Sequence, residues 1–219
     1  MYSQGPHLAA YSYEVGNPKL EDEKGWGFEL FLYHKFEKMF FTLTYFSNWL
    51  NYYIIPRNTG EINYATFLPI YESQGVKARI YGFEMQLDFK IIEQWELNLS
   101  GSYSRGKNIT DGLNLPQIPP LKGNIGLKYS YDDFIIGSGL EFALKQDDVD
   151  LFETGTAGYA VWNAFAQYSF QFNGYINNIS LSVDNILNQE YRNHLSRVKS
   201  IMPETGVNLR GTYRIYFHI

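Results

Sequence analysis

The sequence predicts an all-β fold: the C-terminal segment, about nine strands, of an antiparallel transmembrane β-barrel. Three observations carry that prediction. Apolar and polar residues alternate over long stretches, as in Tyr81, Phe83, Met85, Leu87, Phe89 and Ile91 against Gly82, Glu84, Gln86, Asp88 and Lys90, and such a period of two puts the sets on opposite strand faces. Aromatics reach 18%, yet mean hydropathy is slightly negative, so apolar bulk is interleaved with polar residues instead of pooled in runs. Short turns alternate with long connections, as they do when one rim carries tight turns and the other long loops. No run of about 18 apolar residues could form a spanning helix, so only a closed barrel would let this chain cross a bilayer.

Taken in order, residues 1–24 hold Gly5, Pro6, Gly16, Asn17, Pro18 and the charge run Glu21 to Lys24, which predicts a long loop. A first strand over 26–36 sets Trp26, Phe28, Leu30, Leu32, His34 and Phe36 opposite Glu29 and Lys35. Glu37-Lys38 turns into a partner that begins at Met39, with Phe41, Leu43 and Tyr45 on one face, although Phe40 and Phe46 blur the alternation. Residues 57–77 read as the next long connection. Strand three, 79–91, and strand four, with Trp95, Leu97, Leu99 and Tyr103 on its apolar face, are joined at Glu93-Gln94. After a loop over 106–122, strand five carries Ile125, Leu127, Tyr129 and Tyr131, and Asp132-Asp133 turns into strand six with Phe134, Ile136, Leu140, Phe142 and Leu144. A loop over 146–158 precedes strand seven, with Trp162, Ala164, Ala166, Tyr168, Phe170 and Phe172. A turn over 173–178 leads to strand eight, with Ile179, Leu181 and Val183. The loop 185–206 is followed by strand nine, where Val207, Leu209, Gly211, Tyr213, Ile215, Phe217 and Ile219 oppose Asn208, Arg210, Thr212, Arg214, Tyr216 and His218.

Each polar face carries charges or amides, which suits an aqueous lumen better than the interior of a soluble sandwich, the other fold that alternating strands allow. An odd count of strands does not close a standard bacterial barrel, and open edges cannot sit in lipid, so the nine strands are expected to belong to a larger wall. The absence of cysteine excludes a disulfide scaffold and thiolate metal sites. A net charge of -5 without a basic stripe argues against a nucleic-acid partner. The N-terminal residues have no charged n-region or apolar h-region, so a signal peptide is not expected within 1–219.

In order along the chain, GPHLAAYSYEVGNPKLEDEKGWGFEL, RIYGFEMQLDF, LPQIPPLKGNIGLKY, KQDDVDLFETGTAGYAVWNAF and LSVDNILNQEYRNHLSRVKSIMPETGVNLRGTYRIYFHI resemble the C-terminal half of the barrel of TonB-dependent outer-membrane receptors. Thr205-Gly206-Val207-Asn208 departs from that family's proline-glycine-arginine-asparagine form, and the chain ends on Ile219, with Phe217 two places earlier. The resemblance implies that 1–219 is part of a barrel of about 22 strands, with the plug and signal peptide outside it. It implies integral residence in the outer membrane of a Gram-negative bacterium, among lipid and lipopolysaccharide. It further implies uptake of a scarce nutrient, a ferric siderophore or other metal complex, energised by the TonB–ExbB–ExbD complex acting through the N-terminal part. A passive porin or structural barrel and an outer-membrane hydrolase are the alternatives. A hydrolase would need a His/Ser pair, and His34 has no serine two places away. No resident cofactor is expected.

Among candidate site residues, Arg192, His194, Arg197 and Lys199, with Ser196, cluster in the last long loop. They would bind an anionic chelate, or His194 would ligate a metal, or the charges would pair with neighbours or lipopolysaccharide phosphates. Asp147, Asp148, Asp150 and Glu153 offer oxygen ligands for Ca²⁺ but lack the glycine-turned loop of a dedicated site, so a hydrated acidic loop is the competing reading. Arg210 and Arg214 fall four apart on one strand face and are expected in the lumen, where they would contact the plug, steer an anion or pair with carboxylates on adjacent strands. His7, His34 and His218 form no constellation.

Overall fold

The computed structural model describes residues 4–217, so His218 and Ile219 of the predicted last strand lie outside the described residues. Twelve strands form one sheet: β1 (Gly5–His7), β2 (Ser12–Val15), β3 (Lys24–Lys35), β4 (Met39–Asn63), β5 (Leu68–Lys90), β6 (Trp95–Asn108), β7 (Leu113–Asn114), β8 (Lys122–Tyr131), β9 (Phe134–Ala143), β10 (Tyr159–Phe172), β11 (Tyr175–Asp184) and β12 (Asn208–Tyr216). The nine long strands are the nine read from the alternation. The wall runs β3-β4-β5-β6-β8-β9-β10-β11-β12, every neighbour antiparallel. Among the described residues β3 and β12 each pair on one side only, so the sheet is an open section of a larger barrel.

Register builds the two faces. Leu30 lies opposite Tyr45, Leu87 opposite Leu99, Leu99 opposite Ile125, Ile125 opposite Leu140, and Leu140 opposite Trp162. Trp26, Leu30, Ile125, Trp162 and Leu181 are exposed, a continuous apolar surface far larger than a water-facing protein presents. Across the other face, Asn98 donates to Asp88 at 2.7 Å and to Glu96 at 3.0 Å, Gln86 donates to Asp88 at 2.9 Å, and Lys128 reaches Glu96 at 3.1 Å. These pairings satisfy the ionisable row that would be costly inside a sandwich.

The aromatics that break the alternation have a steric cause. Phe46 pairs with Gly82, and Phe165 pairs with Gly137. A Cβ on Gly82 would stand 2.1 Å from the Tyr103 carbonyl and 2.9 Å from Phe46 Cζ, and one on Gly137 would meet the Phe165 ring at 2.3 Å. Phe46 and Phe165 therefore each lie across a glycine of the next strand, whereas Phe40 lies opposite Asp88.

Three sequence expectations change. Residues 57–77 belong to the arms of the β4–β5 hairpin, whose tip lies between Asn63 and Leu68; turn-forming residues pair here because beyond the apolar band no lipid faces the strands and strict alternation is no longer required. Residues 1–24 are not all loop: β1 and β2 pair with each other, and β2 adds to β5 in parallel, Tyr13 beside Ile70. Together with β7 they span two to four residues each, too few for a period to register. The 173–178 turn is only Asn173-Gly174, at φ 51° and 81°, the positive pair a two-residue hairpin demands, so Asn177 and Asn178 join the ladder opposite Ile215 and Arg214.

Gly82→Ala is expected to cost about 1–3 kcal/mol of stability through overpacking, read as an earlier urea midpoint in detergent. Gly101→Ala, where the nearest atoms stand at 3.6 Å, should shift it by less than about 0.5 kcal/mol. Equal midpoints for the two variants would contradict the steric account.

Candidate functional site

The β4–β5 hairpin outgrows its neighbours: β4 has 25 residues and β5 has 23, against 14 in β6. Register shifts between Leu50 and Tyr53 and between Asn58 and Ile62 bend it. Where it meets the segment after β6, Ile55, Val76, Ala78 and Leu115 form a buried apolar cluster with Ile80 and Ile118 against it. That support positions Arg57. Its Nε and Nη2 donate to the two oxygens of Asp150 at 3.2 and 3.3 Å, while Nη1 donates to Asp111 at 2.8 Å and Gln74 at 3.3 Å. Burial pulls the guanidinium downward, but Asp111 and Asp150 outweigh it and hold its pKa above the ordinary value. One side chain thus ties together the tall hairpin, the β6–β7 turn and the β9–β10 loop.

A second node joins the β9–β10 loop to the β11–β12 loop. Glu153 accepts from Lys199 Nζ at 2.8 Å and from the backbone N–H groups of Gln117 and Asp150 at 3.2 and 3.3 Å, and it lies 3.3 Å from His194 Nε2. With Nε2–H directed at Glu153, His194 Nδ1 accepts from the Thr156 hydroxyl at 3.0 Å. Lys199 also donates to the His194 carbonyl at 3.0 Å. His194, Lys199 and Thr156 are buried. Burial raises the Glu153 carboxyl, yet the hydrogen bonds from His194 and Lys199, the Lys199 charge and the Asp150 N–H prevail and bring it down to about 2.

Between these nodes lies a cavity of about 120 Å³ whose lining includes Tyr11, Tyr71, Gln117, Phe152, Arg197 and Lys199. Arg197 lines it, with Nη2 3.4 Å from Glu14 and its guanidinium 5.0 Å from the Tyr71 ring centre, while its Nε is buried without a partner. The lining mixes aromatics and amides with two cations, Arg197 and Lys199, and two carboxylates, Asp150 and Glu153; Lys199, Asp150 and Glu153 are committed to ion pairs, which leaves Arg197 as the cation with the most capacity for an acceptor group.

Of the four loop residues singled out in the sequence, His194 and Lys199 meet in one node, and Arg192 stitches the same loop by donating to the Lys199 carbonyl at 2.9 Å. Arg197 stands apart from that node, in the cavity. The acidic run is dispersed, since Asp147 pairs with Lys145, Asp148 with Arg105, Asp150 with Arg57 and Glu153 with Lys199, and among the described residues no group of three or more His, Asp or Glu could hold a metal. Arg210 pairs with Asp184 at 3.2 Å, and it and Arg214 lie opposite Ser182 and Asn178. His7 lies 3.8 Å from Glu14, and the His34 ring lies 3.8 Å from that of Phe36, tilted by 38°. Sequence reasoning missed Arg57, Asp111, Tyr71 and Glu14. Arg57 and Asp150 are 93 residues apart, and no spacing rule connects them.

Residues 1–186 match the family described as TonB dependent receptor-like, beta-barrel. Solved structures share the fold. The copper transporter OprC superposes with a TM-score of 0.81 at 23% identity, over 90% of this chain and 31% of that one. The FrpB iron transporter from Neisseria meningitidis gives 0.69 at 16%, over 94% and 33%. The ferric enterobactin receptor PfeA from Pseudomonas aeruginosa gives 0.67 at 21%, over 92% and 32%. The chain spans about a third of the length of each.

Because Glu153 is held below its ordinary value of 4.5, its contribution is complete above that pH and is lost as pH falls from about 4.5 towards about 2. That contribution is on the order of 3 kcal/mol. A nitroxide on Leu195→Cys should be immobile at pH 6 and become mobile across that window, whereas in the Glu153→Gln background it should be mobile already at pH 6. A wild-type spectrum unchanged down to pH 2 would refute the assignment.

Proposed function

The chain belongs to the TonB-dependent receptor family, within its β-barrel part, and from that premise we propose that the whole protein takes up a scarce nutrient across the outer membrane of a Gram-negative bacterium. Its substrate in this reading is a ferric siderophore or another chelated metal. The observation that carries the proposal is the assembled loop end: Arg57 and Glu153 knit loops from distant strands into one vestibule through contacts within the protein. Preorganisation of this kind lowers the ordering cost of binding. The names of the structural neighbours, which include a copper transporter, an iron transporter and a ferric enterobactin receptor, point to metal cargo.

In this proposal Arg197 makes the direct contact, presenting the exposed part of its guanidinium to an anionic or carbonyl oxygen of the chelate. Arg192, His194 and Lys199 act mainly by fixing the loop that carries it. Arg210 and Arg214 face the lumen, where they meet the plug or steer the anion inward. The TonB–ExbB–ExbD complex, reached through the N-terminal part of the whole protein, supplies the force for passage. Binding and release complete the cycle without a covalent step.

Deleting the gene should abolish energised accumulation of a radiolabelled iron chelate under iron limitation, and a protonophore should abolish it in the parent strain. Arg197→Ala should raise the apparent Kd about tenfold, equal to about 1.4 kcal/mol, with maximal uptake retained. Protonophore-insensitive entry that rises linearly with concentration would overturn the proposal in favour of a passive pore.

A further inference from the structure

On the apolar face of the wall, one register row runs from Trp26 to Trp49 to Arg79 to Lys107, each opposite the next on adjacent strands. Below it, Tyr81 lies opposite Arg105, and above it Lys77 precedes Arg79 by one strand repeat. Four cations therefore share this face at the long-loop end of β5 and β6. Trp26 and Trp49 stack at 4.2 Å, and the Arg79 guanidinium sits 4.8 Å from the Trp49 ring centre and 5.0 Å from that of Tyr81. Its Nε donates to Ser47 Oγ at 3.4 Å.

These cations are poorly compensated. Among the ion pairs of the described residues, none involves Lys77, Arg79 or Lys107. Arg105 reaches Asp148 through Nη2, while its Nε is buried without a partner, and Lys107 reaches the amide of Asn114. Depth fixes what surrounds them. From Tyr81 to Ile91 the face is uniformly apolar, about 33 Å along a strand and about 25 Å of depth at a tilt near 40°, the height of a barrel's apolar band. Arg79 is the next outward-pointing residue, level with the headgroups, and a Trp pair beside it is the usual mark of that boundary.

We propose that Lys77, Arg79, Arg105 and Lys107 form a binding site for the phosphates of an outer-leaflet lipid headgroup, whose acyl chains lie along Tyr81, Phe83 and Met85. Adjacent strands about 4.8 Å apart, with same-face residues about 7 Å apart along each, let one or two phosphate groups bridge Arg79, Arg105 and Lys107. Arginine supplies paired donors for phosphate oxygens, and the two rings hold the Arg79 guanidinium in place. The site requires the membrane placement proposed above but not the substrate.

The test uses the full-length protein, extracted in detergent and stripped of lipid, then offered bis-phosphorylated lipid A or its dephosphorylated form, with retained lipid counted by native mass spectrometry. The wild type should retain the phosphorylated lipid alone, and a large excess of inorganic phosphate should not displace it. Arg105→Gln/Lys107→Gln, which spares the Arg79 packing, should retain about tenfold less, as expected for losing charge-assisted hydrogen bonds, and Arg79→Ala should do likewise. Heat-dependent gel mobility identifies variants that fold. Equal retention by folded variants, equal retention of the dephosphorylated lipid, or displacement by inorganic phosphate would each overturn the site. A wild type that fails to insert into bilayers at all would instead refute the membrane placement.

Discussion

Inside hydrocarbon no water is available to pair with a backbone amide, and every N–H and C=O must find its partner within the protein. The architecture follows from that single constraint. Strands must be long enough to cross, each must be paired on both edges, and their side chains must divide between lipid and lumen with period two. Every strand between β3 and β12 obeys this, and β3 and β12, each paired on one side among the described residues, are the places where the larger barrel continues. The glycines across which Phe46 and Phe165 lie serve the same end, since a ring can occupy the polar face without pushing neighbouring strands apart.

Above the apolar band the constraint is lifted, and a different one takes over. Water can satisfy the backbone, so the β4–β5 hairpin extends with register shifts and without strict alternation, one small apolar cluster around Ile55 and Val76 supporting it. Long loops must instead be held against their own conformational entropy. Here buried ion pairs do the holding. They are a poor source of net stability, because desolvation offsets much of the attraction, but breaking one leaves an uncompensated buried charge, so they define one arrangement strongly. Arg57 with Asp150, and Glu153 with Lys199 and His194, set the β9–β10 and β11–β12 loops in a defined relation to the hairpin.

The division of labour explains what could be read from the sequence. Strands within the band were legible because lipid enforces alternation, so residues 79–91 or 162–172 admit one reading. The hairpin arms at 57–77 were not, since Asn58, Thr59 and Gly60 look like turn formers wherever they stand; here Asn58 pairs with Tyr71, and Thr59 and Gly60 lie in the register shift that follows it. The loop cluster around His194 was visible as a concentration of cations, but its meaning was not: whether Lys199 meets a ligand or Glu153 depends on a residue 46 positions away. Arg57 gave no local signal at all. The row from Trp26 to Lys107 was hidden for the same reason, because four strands contribute one residue each.

The whole architecture turns on one face of the wall meeting lipid and the other water. The chain contains no cysteine, so single cysteines at successive positions from 81 to 89 in the full-length, bilayer-inserted protein can each carry a nitroxide. Collision with lipid-soluble oxygen should peak at 81, 83, 85, 87 and 89, and collision with an aqueous nickel chelate at 82, 84, 86 and 88. A profile without the two-residue period, or with its phase reversed, would contradict the assignment.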